Sequence, residues 1–303
     1  MLLSNNSVDV YLDRHAASRR ARTIATLRER LRHATRAYGD VPLHELERMA
    51  GELADWQARL PVRSRYGIAQ ALRQALEAAV RWGYMSRNPA KLAGPNPQPP
   101  PRPPDPFTLA EVDAIAEELG ATYGPLVRFA AATGLRPEEW AALERRDVER
   151  RAGLVNVRRS VSSGVVRELG KTERSRRQVP LSSRAIAALD GLPIRLDTPF
   201  LFPAPSGGLL EYHNWYRREW RPALESSGVR PRRPYDLRST FVSHALAAGV
   251  TVFELARIAG TSVAMIERHY GALLDGAGAG IAGRLDALEL ELEAAAEQRA
   301  EDV

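Results

Sequence analysis

The sequence contains no cysteine and no long apolar run, and each absence narrows the class of protein. Without cysteine, disulfides and thiolate metal sites are excluded, and the chain suits a reducing compartment, so a cytoplasmic location is expected. No stretch approaches the roughly 20 apolar residues of a membrane-spanning helix, and the N-terminus has no apolar signal core. The sequence therefore predicts a soluble globular protein with no membrane partner.

Lysine is almost as scarce as cysteine. The 43 basic residues are 41 arginines and two lysines, Lys91 and Lys171. An ammonium group can give up a proton, whereas a guanidinium effectively cannot. In a chain that otherwise prefers arginine, Lys171 is a candidate for proton transfer, and a solvated lysine in a turn is the simpler alternative.

Charge is distributed unevenly along the chain. Residues 1–95 carry 16 basic and 9 acidic side chains, a balance of +7, whereas residues 275–303 carry 2 basic and 8 acidic ones, a balance of −6. The basic N-terminal part favours a polyanionic partner such as DNA. The six histidines show no ligand-like spacing, so no metal and no cofactor are expected.

A proline-rich segment divides the chain. Residues 94–106 cannot form a helix or a central strand, because proline lacks the backbone donor and fixes φ. They are predicted to link a helical domain at residues 1–93 to a second domain at residues 107–275, with a C-terminal helix within residues 276–303. Helical spacing of apolar residues in the first domain predicts helices at residues 21–38, 43–60 and 65–82.

The second domain mixes helices with short strands. Thr108 begins a capping box, and Pro137 marks another helix start directly after Arg136. We predict further helices at residues 123–132, 183–189, 211–226, 238–248, 251–258 and 262–271. Strands are predicted at residues 154–157, 165–169 and 177–181, with residues 170–175 as the turn of a hairpin between the last two. The predicted fold is mainly α with a small antiparallel β-sheet, in two domains.

Two arginines and a tyrosine, in order, indicate phosphodiester chemistry. Arg136 lies in Thr-Gly-Leu-Arg-Pro-Glu-Glu, Arg238 in Tyr-Asp-Leu-Arg-Ser-Thr-Phe, and Tyr270 in Ile-Glu-Arg-His-Tyr-Gly, with Lys171 between the arginines. Together these motifs make the second domain resemble the catalytic domain of the tyrosine recombinase (phage integrase) family. The first domain resembles that family's core-binding domain.

The resemblance implies a role for each residue. Tyr270 is expected to attack DNA and hold a 3′-phosphate, Arg136 and Arg238 to bind the non-bridging phosphate oxygens, and Lys171 to protonate the leaving 5′-oxygen. No metal or ATP is expected, because the arginines take the electrostatic role and the phosphotyrosine bond stores the energy for rejoining. Asp236 is expected to brace Arg238 or a backbone turn.

Two positions depart from the family's usual pattern. The family most often has histidine where Tyr235 stands, and histidine or tryptophan where Thr261 follows Gly260. The phenol of Tyr235 can still donate to a phosphate. The hydroxyl of Thr261 can donate, but it cannot act as an imidazole acid or base near neutral pH.

DNA contacts are expected from the first domain, and the resemblance extends to assembly. Arg28, Arg32 and Arg36 repeat every fourth residue on one predicted helix, and Arg65 and Arg73 are further DNA-binding candidates. The family clamps duplex DNA between its two domains and works as a tetramer on two DNA sites. Residues 281–297 are helical in pattern, so they are expected to pass to a neighbouring protomer or to fold back on their own domain. No separate arm-type domain is expected before residue 21.

Three alternatives stay open. Residues 251–270 also match a helix-turn-helix, which would make the protein a DNA-binding regulator. A type IB topoisomerase uses the same tyrosine chemistry, and a catalytically silent family member would keep DNA binding alone. Strand exchange between two duplexes separates a recombinase from a topoisomerase.

Overall fold

The computed structural model describes residues 5–16, 21–100, 102–169 and 176–274, together with six isolated positions between 283 and 293. The chain divides into two compact units, Met1–Pro101 and Arg102–Val303, which we call the N-terminal and C-terminal units. The predicted domain bounds themselves stay a prediction. No helix in the described part combines the length and the apolarity needed to cross a bilayer.

The described part of the N-terminal unit is helical. Leu12 and Leu31 are fully buried in a cluster that joins α1, α2 and α5, and Leu53 and Leu72 lie in a second cluster that joins α2 to α6. Apolar residues three and four positions apart therefore build both clusters, as amphipathic helices require. The helices are α1 (Asn5–Ala16), α2 (Ala21–Tyr38), α3 (Leu43–Leu46), α4 (Ala50–Arg59), α5 (Val62–Arg81) and α6 (Pro89–Leu92).

Three expectations for this unit need correction. The single helix predicted at residues 43–60 is two helices, because Met49 leaves the helical conformation (φ −96°, ψ 38°) and Glu47 accepts hydrogen bonds from Ser86. The next helix begins at Val62 instead of residue 65, directly after Pro61. Helix α1 was not predicted at all, although Val8, Tyr11 and Leu12 have helical spacing and are buried.

The described helices of the C-terminal unit follow the predicted order with shifts at their ends. Thr108 and Thr251 both form complete capping boxes, and Ser262 accepts the backbone N–H of Met265 at 3.3 Å. A π-helical turn (Tyr216–Trp220) joins α11 to α12. The helices are α7 (Leu109–Glu118), α8 (Gly120–Thr133), α9 (Pro137–Trp140), α10 (Ser183–Asp190), α11 (Tyr212–Trp215), α12 (Arg221–Ser226), α13 (Asp236–Ala247), α14 (Val252–Ala259) and α15 (Val263–Leu274).

The strands pair differently from the prediction. Strand β2 (Leu154–Val157) pairs antiparallel with β1 (Val148–Glu149) and β5 (Arg177–Pro180), and β3 (Arg159–Ser162) pairs antiparallel with β4 (Val165–Glu168). The predicted hairpin between β4 and β5 is therefore wrong among the described residues. The physical reason is a two-residue turn at Ser163 and Gly164, both with positive φ, which folds β4 onto the unpredicted β3.

The mainly α fold with small antiparallel sheets is confirmed. Helices α7, α8 and α10 and the inner strands share one core in which Trp140, Phe129 and Ile115 are fully buried. Trp215 and Trp220 are also buried, and the Trp220 indole N–H donates to the Arg232 carbonyl at 2.9 Å. This core fixes the ends of α8, α9 and α13, where the site residues lie.

Candidate active site

Arg136 is held by both its backbone and its side chain. Helix α8 ends at Gly134 in the left-handed conformation (φ 63°), where a β-carbon would collide with the ring of Phe241. Arg136 then caps α9: its backbone N–H and its guanidinium each donate to Glu139 at 2.8 Å. A second guanidinium nitrogen donates to the Gly260 carbonyl at 2.7 Å, so the side chain is fixed while 26% of it stays exposed.

Arg238 comes from a separate helix, α13, and is only 5% exposed. Its guanidinium donates to the Gly134 carbonyl at 2.8 Å, the same turn that leads into Arg136. Burial and the like charge of Arg136 lower the pKa of Arg238. Two cations thus lie close together in a partly dry site, which is an arrangement that binding of an anion stabilises.

Glu139 is the acceptor around which this cluster is built. Its side chain is 4% exposed and accepts from Arg136 and, bidentately, from Arg177 at 2.9 and 2.7 Å. Burial raises the pKa of Glu139, but the hydrogen bonds and charge of Arg177 and the charge of Arg136 outweigh it and lower that pKa to about 2. Glu139 is therefore ionised at neutral pH and balances part of the positive charge.

A cleft of about 350 Å³ lies beside the arginines and is lined by Tyr235, Arg238, Thr261 and Tyr270. Tyr235 is 41% exposed at the start of α13. Thr261 follows Gly260, which ends α14 with φ 65°, and it is half-buried. The four residues come from α13, α15 and the turn after α14, so the fold brings together residues that are distant in sequence.

Tyr270 is half-buried, and its hydroxyl donates to the Ser239 hydroxyl at 3.2 Å. Ser239 is 4% exposed and follows Arg238 on α13. Burial raises the pKa of Tyr270, although Ser239 and the charge of Arg238 act against that rise. The phenol is thus protonated near neutral pH and has to lose its proton during any attack.

Asp236 braces a turn. It is 1% exposed and accepts from the Arg233 backbone N–H at 2.9 Å and from the Arg233 guanidinium at 3.2 Å. Asp236 therefore braces a backbone turn, as one of the two predicted alternatives stated. Its contact with Arg233 fixes the turn that leads into Tyr235 and α13.

Lys171 lies outside the described residues, but the chain on either side of it is well defined. The Leu169 N–H donates to the Arg158 carbonyl at 2.8 Å, and Arg177 pairs with Val157, the preceding residue of the same strand region. Arg176 donates to the Leu169 carbonyl at 3.2 Å. Leu169 and Arg176, the described residues on either side, are therefore in contact.

The matching family model is that of the Phage integrase family, and it spans residues 108–275, more than half of the chain. The chain belongs to this family. The matched region contains every candidate catalytic residue, including Lys171.

Individual relatives agree with this assignment. Prophage integrase IntR from Escherichia coli (strain K12) is 29% identical over 198 residues, which cover 57% of this chain and 48% of IntR. The chain thus spans about half the length of this curated relative. The Tn1549 transposon integrase in complex with a circular intermediate DNA has a TM-score of 0.71 at 19% identity, covering 87% of this chain and 94% of that one. A lambda integrase tetramer bound to a Holliday junction has a TM-score of 0.66 at 17% identity, covering 85% and 76%. These structures share the fold.

Three site residues of this integrase-family chain were not predicted: Glu139, Arg177 and Ser239. Glu139 had been assigned only to the Arg136 motif, although its position three residues after the capping Arg136 is a signal for the contact. Arg177 had been assigned only to a strand, and Ser239 only to a motif. The sequence carries no signal for their long-range partners.

The exposed arginine candidates of the N-terminal unit lie on α2. Arg28, Arg32 and Arg36 are all exposed. Arg28 pairs with Asp9, and Arg32 pairs with Glu29 at 2.9 Å. These pairs are on the surface, where ion pairs are weak and easily exchanged for another anion.

Arg65 and Arg73 are half-buried and donate to carbonyls of their own unit. Arg65 donates to the carbonyls of Ala58 at 2.6 Å and Leu60 at 3.0 Å, at the C-terminal end of α4, and Arg73 donates to that of Gly94. These contacts favour a structural role for both, and their predicted DNA contacts stay a prediction.

Proposed function

We propose that the protein is a site-specific DNA recombinase that breaks and rejoins strands through a 3′-phosphotyrosyl intermediate. The observation that carries the proposal is that Arg238 and Tyr270 line one cleft, and that Arg136 is fixed close to Arg238, which donates to the Gly134 turn leading into Arg136. Two fixed guanidinium groups match the forked geometry of a phosphate, and a phenol lies within the same cleft. Membership of the Phage integrase family supports the same reaction class.

The reaction follows from these groups. The Tyr270 oxygen attacks the scissile phosphorus and forms the phosphotyrosine bond while the bond to the 5′-oxygen breaks. Arg136 and Arg238 offset the charge that grows on the non-bridging oxygens, and the leaving 5′-oxygen takes a proton. The same steps in reverse rejoin the strand, with the 5′-hydroxyl of either duplex as the nucleophile.

Lys171 is the proposed acid for the leaving 5′-oxygen. Lys171→Ala should cleave an ordinary duplex poorly, because the departing alkoxide has a very high proton affinity. A bridging 5′-sulfur leaves readily without that proton, so a 5′-phosphorothiolate duplex should restore cleavage. Failure of the rescue would leave Lys171 as a phosphate contact and transfer the acid role to Tyr235, Thr261 or water.

Tyr235 and Thr261 are proposed as hydrogen-bond donors to the phosphate at the positions where the family usually has histidine or, after Gly260, tryptophan. Both line the cleft, and Tyr235 is 41% exposed. A threonine hydroxyl does not titrate near neutral pH, so proton movement in this chain would depend on other groups.

The helix-turn-helix alternative is less consistent with the contacts. The turn between α14 and α15 is engaged by the cluster, since the Gly260 carbonyl accepts from Arg136. Thr261 lines the cleft, and Tyr270 on α15 donates into it. A recognition helix would instead present these positions to DNA bases.

Double-stranded DNA is the proposed partner, and a tetramer on two DNA sites the proposed assembly. DNA-bound integrases share the fold, and one of them is a tetramer on a Holliday junction. The predicted exchange of the C-terminal helix falls on residues outside the described part. Deleting residues from Gly276 onward should abolish pairing of two sites and keep binding to one site.

A covalent adduct tests the proposed function. A nicked suicide duplex built from the DNA that flanks the gene should form an adduct with the protein that survives SDS. Tyr270→Phe should abolish it. An adduct in that variant would move the nucleophile elsewhere, and its absence from the parent would favour a regulator.

A further inference from the structure

Arg177 is a buried arginine, and each of its three guanidinium nitrogens donates to an acceptor within the protein. Its side chain is 5% exposed; Nε donates to the Ile258 carbonyl at 2.6 Å, and the two Nη atoms donate to the carboxylate oxygens of Glu139 at 2.9 and 2.7 Å. A guanidinium that is this deeply buried and already donates from all three nitrogens is not presented to a phosphate. Its role must therefore be exerted through the groups that it holds.

Those groups are the two supports of Arg136. One support is Glu139, which accepts from Arg136 at 2.8 Å, and the other is the Gly260 carbonyl, which accepts from Arg136 at 2.7 Å. Arg177 binds Glu139 directly and binds the end of α14 through Ile258, two residues before Gly260. It also packs at 3.0 Å from where a β-carbon on Gly260 would lie, so the turn fits closely around it.

We propose that Arg177 is a positioning residue of the strand-cleavage reaction: by clamping Glu139 and the C-terminal end of α14, it holds the Arg136 guanidinium in the orientation that receives the scissile phosphate. The inference rests on the proposed function. A donor that stabilises a transition state has to be aimed before the reaction, and a displacement of about 1 Å can cost about 10²-fold in rate.

The charges around Glu139 predict a pH dependence of cleavage in Arg177 variants that a simple loss of stability would not produce. Among the described residues, the charged groups that act on Glu139 are Arg136 directly before α9, Arg177 on β5 and Arg238 on α13. Among the influences that lower the pKa of Glu139, the hydrogen bonds from Arg177 are the largest. Without Arg177, burial should raise that pKa toward the assay range, and protonation of Glu139 would then release Arg136.

The test compares Arg177→Met with Arg232→Met. Arg232 is a matched control, because it is 7% exposed and makes the same bidentate pair with Glu111, at 2.8 and 2.8 Å, without contacting the cluster. Single-turnover cleavage of the nicked duplex, Kd for that duplex, and thermal unfolding would be measured for both. We expect Arg177→Met to cleave about 10- to 10²-fold more slowly with Kd within a few-fold, and Arg232→Met to lose thermal stability while cleaving within a few-fold of the parent.

Two further readouts identify the group that Arg177 positions. The cleavage rate of Arg177→Met should fall as the pH is lowered from 7 to 5, and the double variant with Glu139→Gln should lack this fall. A 5′-phosphorothiolate duplex should restore cleavage by Lys171→Ala but not by Arg177→Met, because Arg136 acts on the non-bridging oxygens. If Arg177→Met does not fold, Arg177→Lys is tested in its place, since lysine keeps the charge and loses the bidentate clamp.

Three outcomes would overturn the inference. Arg177→Met could lose no more activity than Arg232→Met, could lose binding and cleavage equally, or could be rescued by sulfur, which would assign the role to the segment that carries Lys171. If the parent forms no adduct at all, it is the proposed function that fails.

Discussion

The site arginines of the C-terminal unit and the arginines of α2 differ in burial and in the groups that accept their hydrogen bonds. Arg136, Arg177 and Arg238 are largely buried and donate to backbone carbonyls, two of them to Glu139 as well. Arg32 and Arg36 are exposed on α2, and the partner of Arg32 is a surface glutamate. The first group is held in one geometry by buried acceptors, whereas the second is predicted to adapt to a nearby phosphate.

This difference predicts two kinds of effect. Loss of a fixed, partly dry guanidinium should damage a chemical step, because its orientation is established before the reaction. Loss of an exposed arginine should weaken binding slightly and in a salt-dependent way, because many similar groups share the DNA backbone. Substitutions of Arg238, Glu139, Arg65 and Arg36 test whether burial separates arginines that act in the chemical step from arginines that act in binding.

The largest effect is expected for Arg238→Ala. Cleavage in a single turnover should fall by about 10²-fold or more, as for loss of one preorganised donor, while Kd for the duplex changes within a few-fold. Arg36→Ala serves as the control and should cleave within a few-fold of the parent. Parallel loss of cleavage and binding in Arg238→Ala would place Arg238 among the general DNA contacts and break the comparison.

The next effect concerns Glu139, the carboxylate that accepts hydrogen bonds from Arg136 and Arg177. The folded pKa of Glu139 is about 2, below the usual 4.5. Its stabilising contribution is thus complete above pH 4.5 and is lost as the pH falls toward 2. Between pH 7 and pH 3 the parent should lose about 2 kcal/mol more unfolding free energy than Glu139→Gln does, at about 1.4 kcal/mol per pKa unit.

Denaturant unfolding at the two pH values measures this difference. Other carboxylates titrate in both proteins and cancel. Glu225→Gln is the control, since its side chain is 69% exposed, and it should follow the parent. Equal pH dependence in Glu139→Gln and the parent would show that the arginine cluster does not hold an ionised carboxylate.

Local patterns predicted much of the helical fold and placed Arg136 directly before one helix and Arg238 and Tyr270 on two others. The capping box at Thr108 and the proline after Arg136 are recognisable because they depend on neighbours within one turn. The roles of Arg177 and Ser239 were not recognisable, because their partners lie 38 and 31 residues away. Which acceptor a buried donor meets is decided by tertiary packing, and the periodicity of a sequence carries no information on it.

The sheet shows the same limit. The strand at residues 154–157 was predicted from its apolar residues, and its partner at residues 177–180 was assigned to a different pairing. The polar strand β3 escaped prediction because Arg159, Ser160 and Ser162 give no apolar alternation. Without β3 in the prediction, Ser163 and Gly164 are not recognised as a hairpin turn, and β4 is paired incorrectly with β5.

A smaller effect, on stability, is expected for Arg65. Its contacts with carbonyls distinguish it from the exposed arginines of the N-terminal unit. Arg65→Ala removes two charge-assisted hydrogen bonds to carbonyls at the C-terminal end of α4, so the unfolding free energy should fall by about 1–2 kcal/mol. Thermal unfolding measures this loss, with Arg63→Ala, an exposed neighbour, as the control. Unchanged stability with weakened DNA binding would instead support the predicted DNA contact.

The smallest effect is expected for Arg36→Ala. Arg36 is exposed on α2, so its removal should leave thermal unfolding unchanged. If it contacts a phosphate, one fewer counterion is released on binding, and the slope of log K against log salt should become shallower by about 1. Fluorescence anisotropy of a labelled duplex over a series of salt concentrations measures the slope, and Arg65→Ala should keep the slope of the parent. An unchanged slope in Arg36→Ala would mean that the arginine row of α2 faces solvent. The exposed arginines of α2 would then have no role in DNA binding, and the comparison would fail for them.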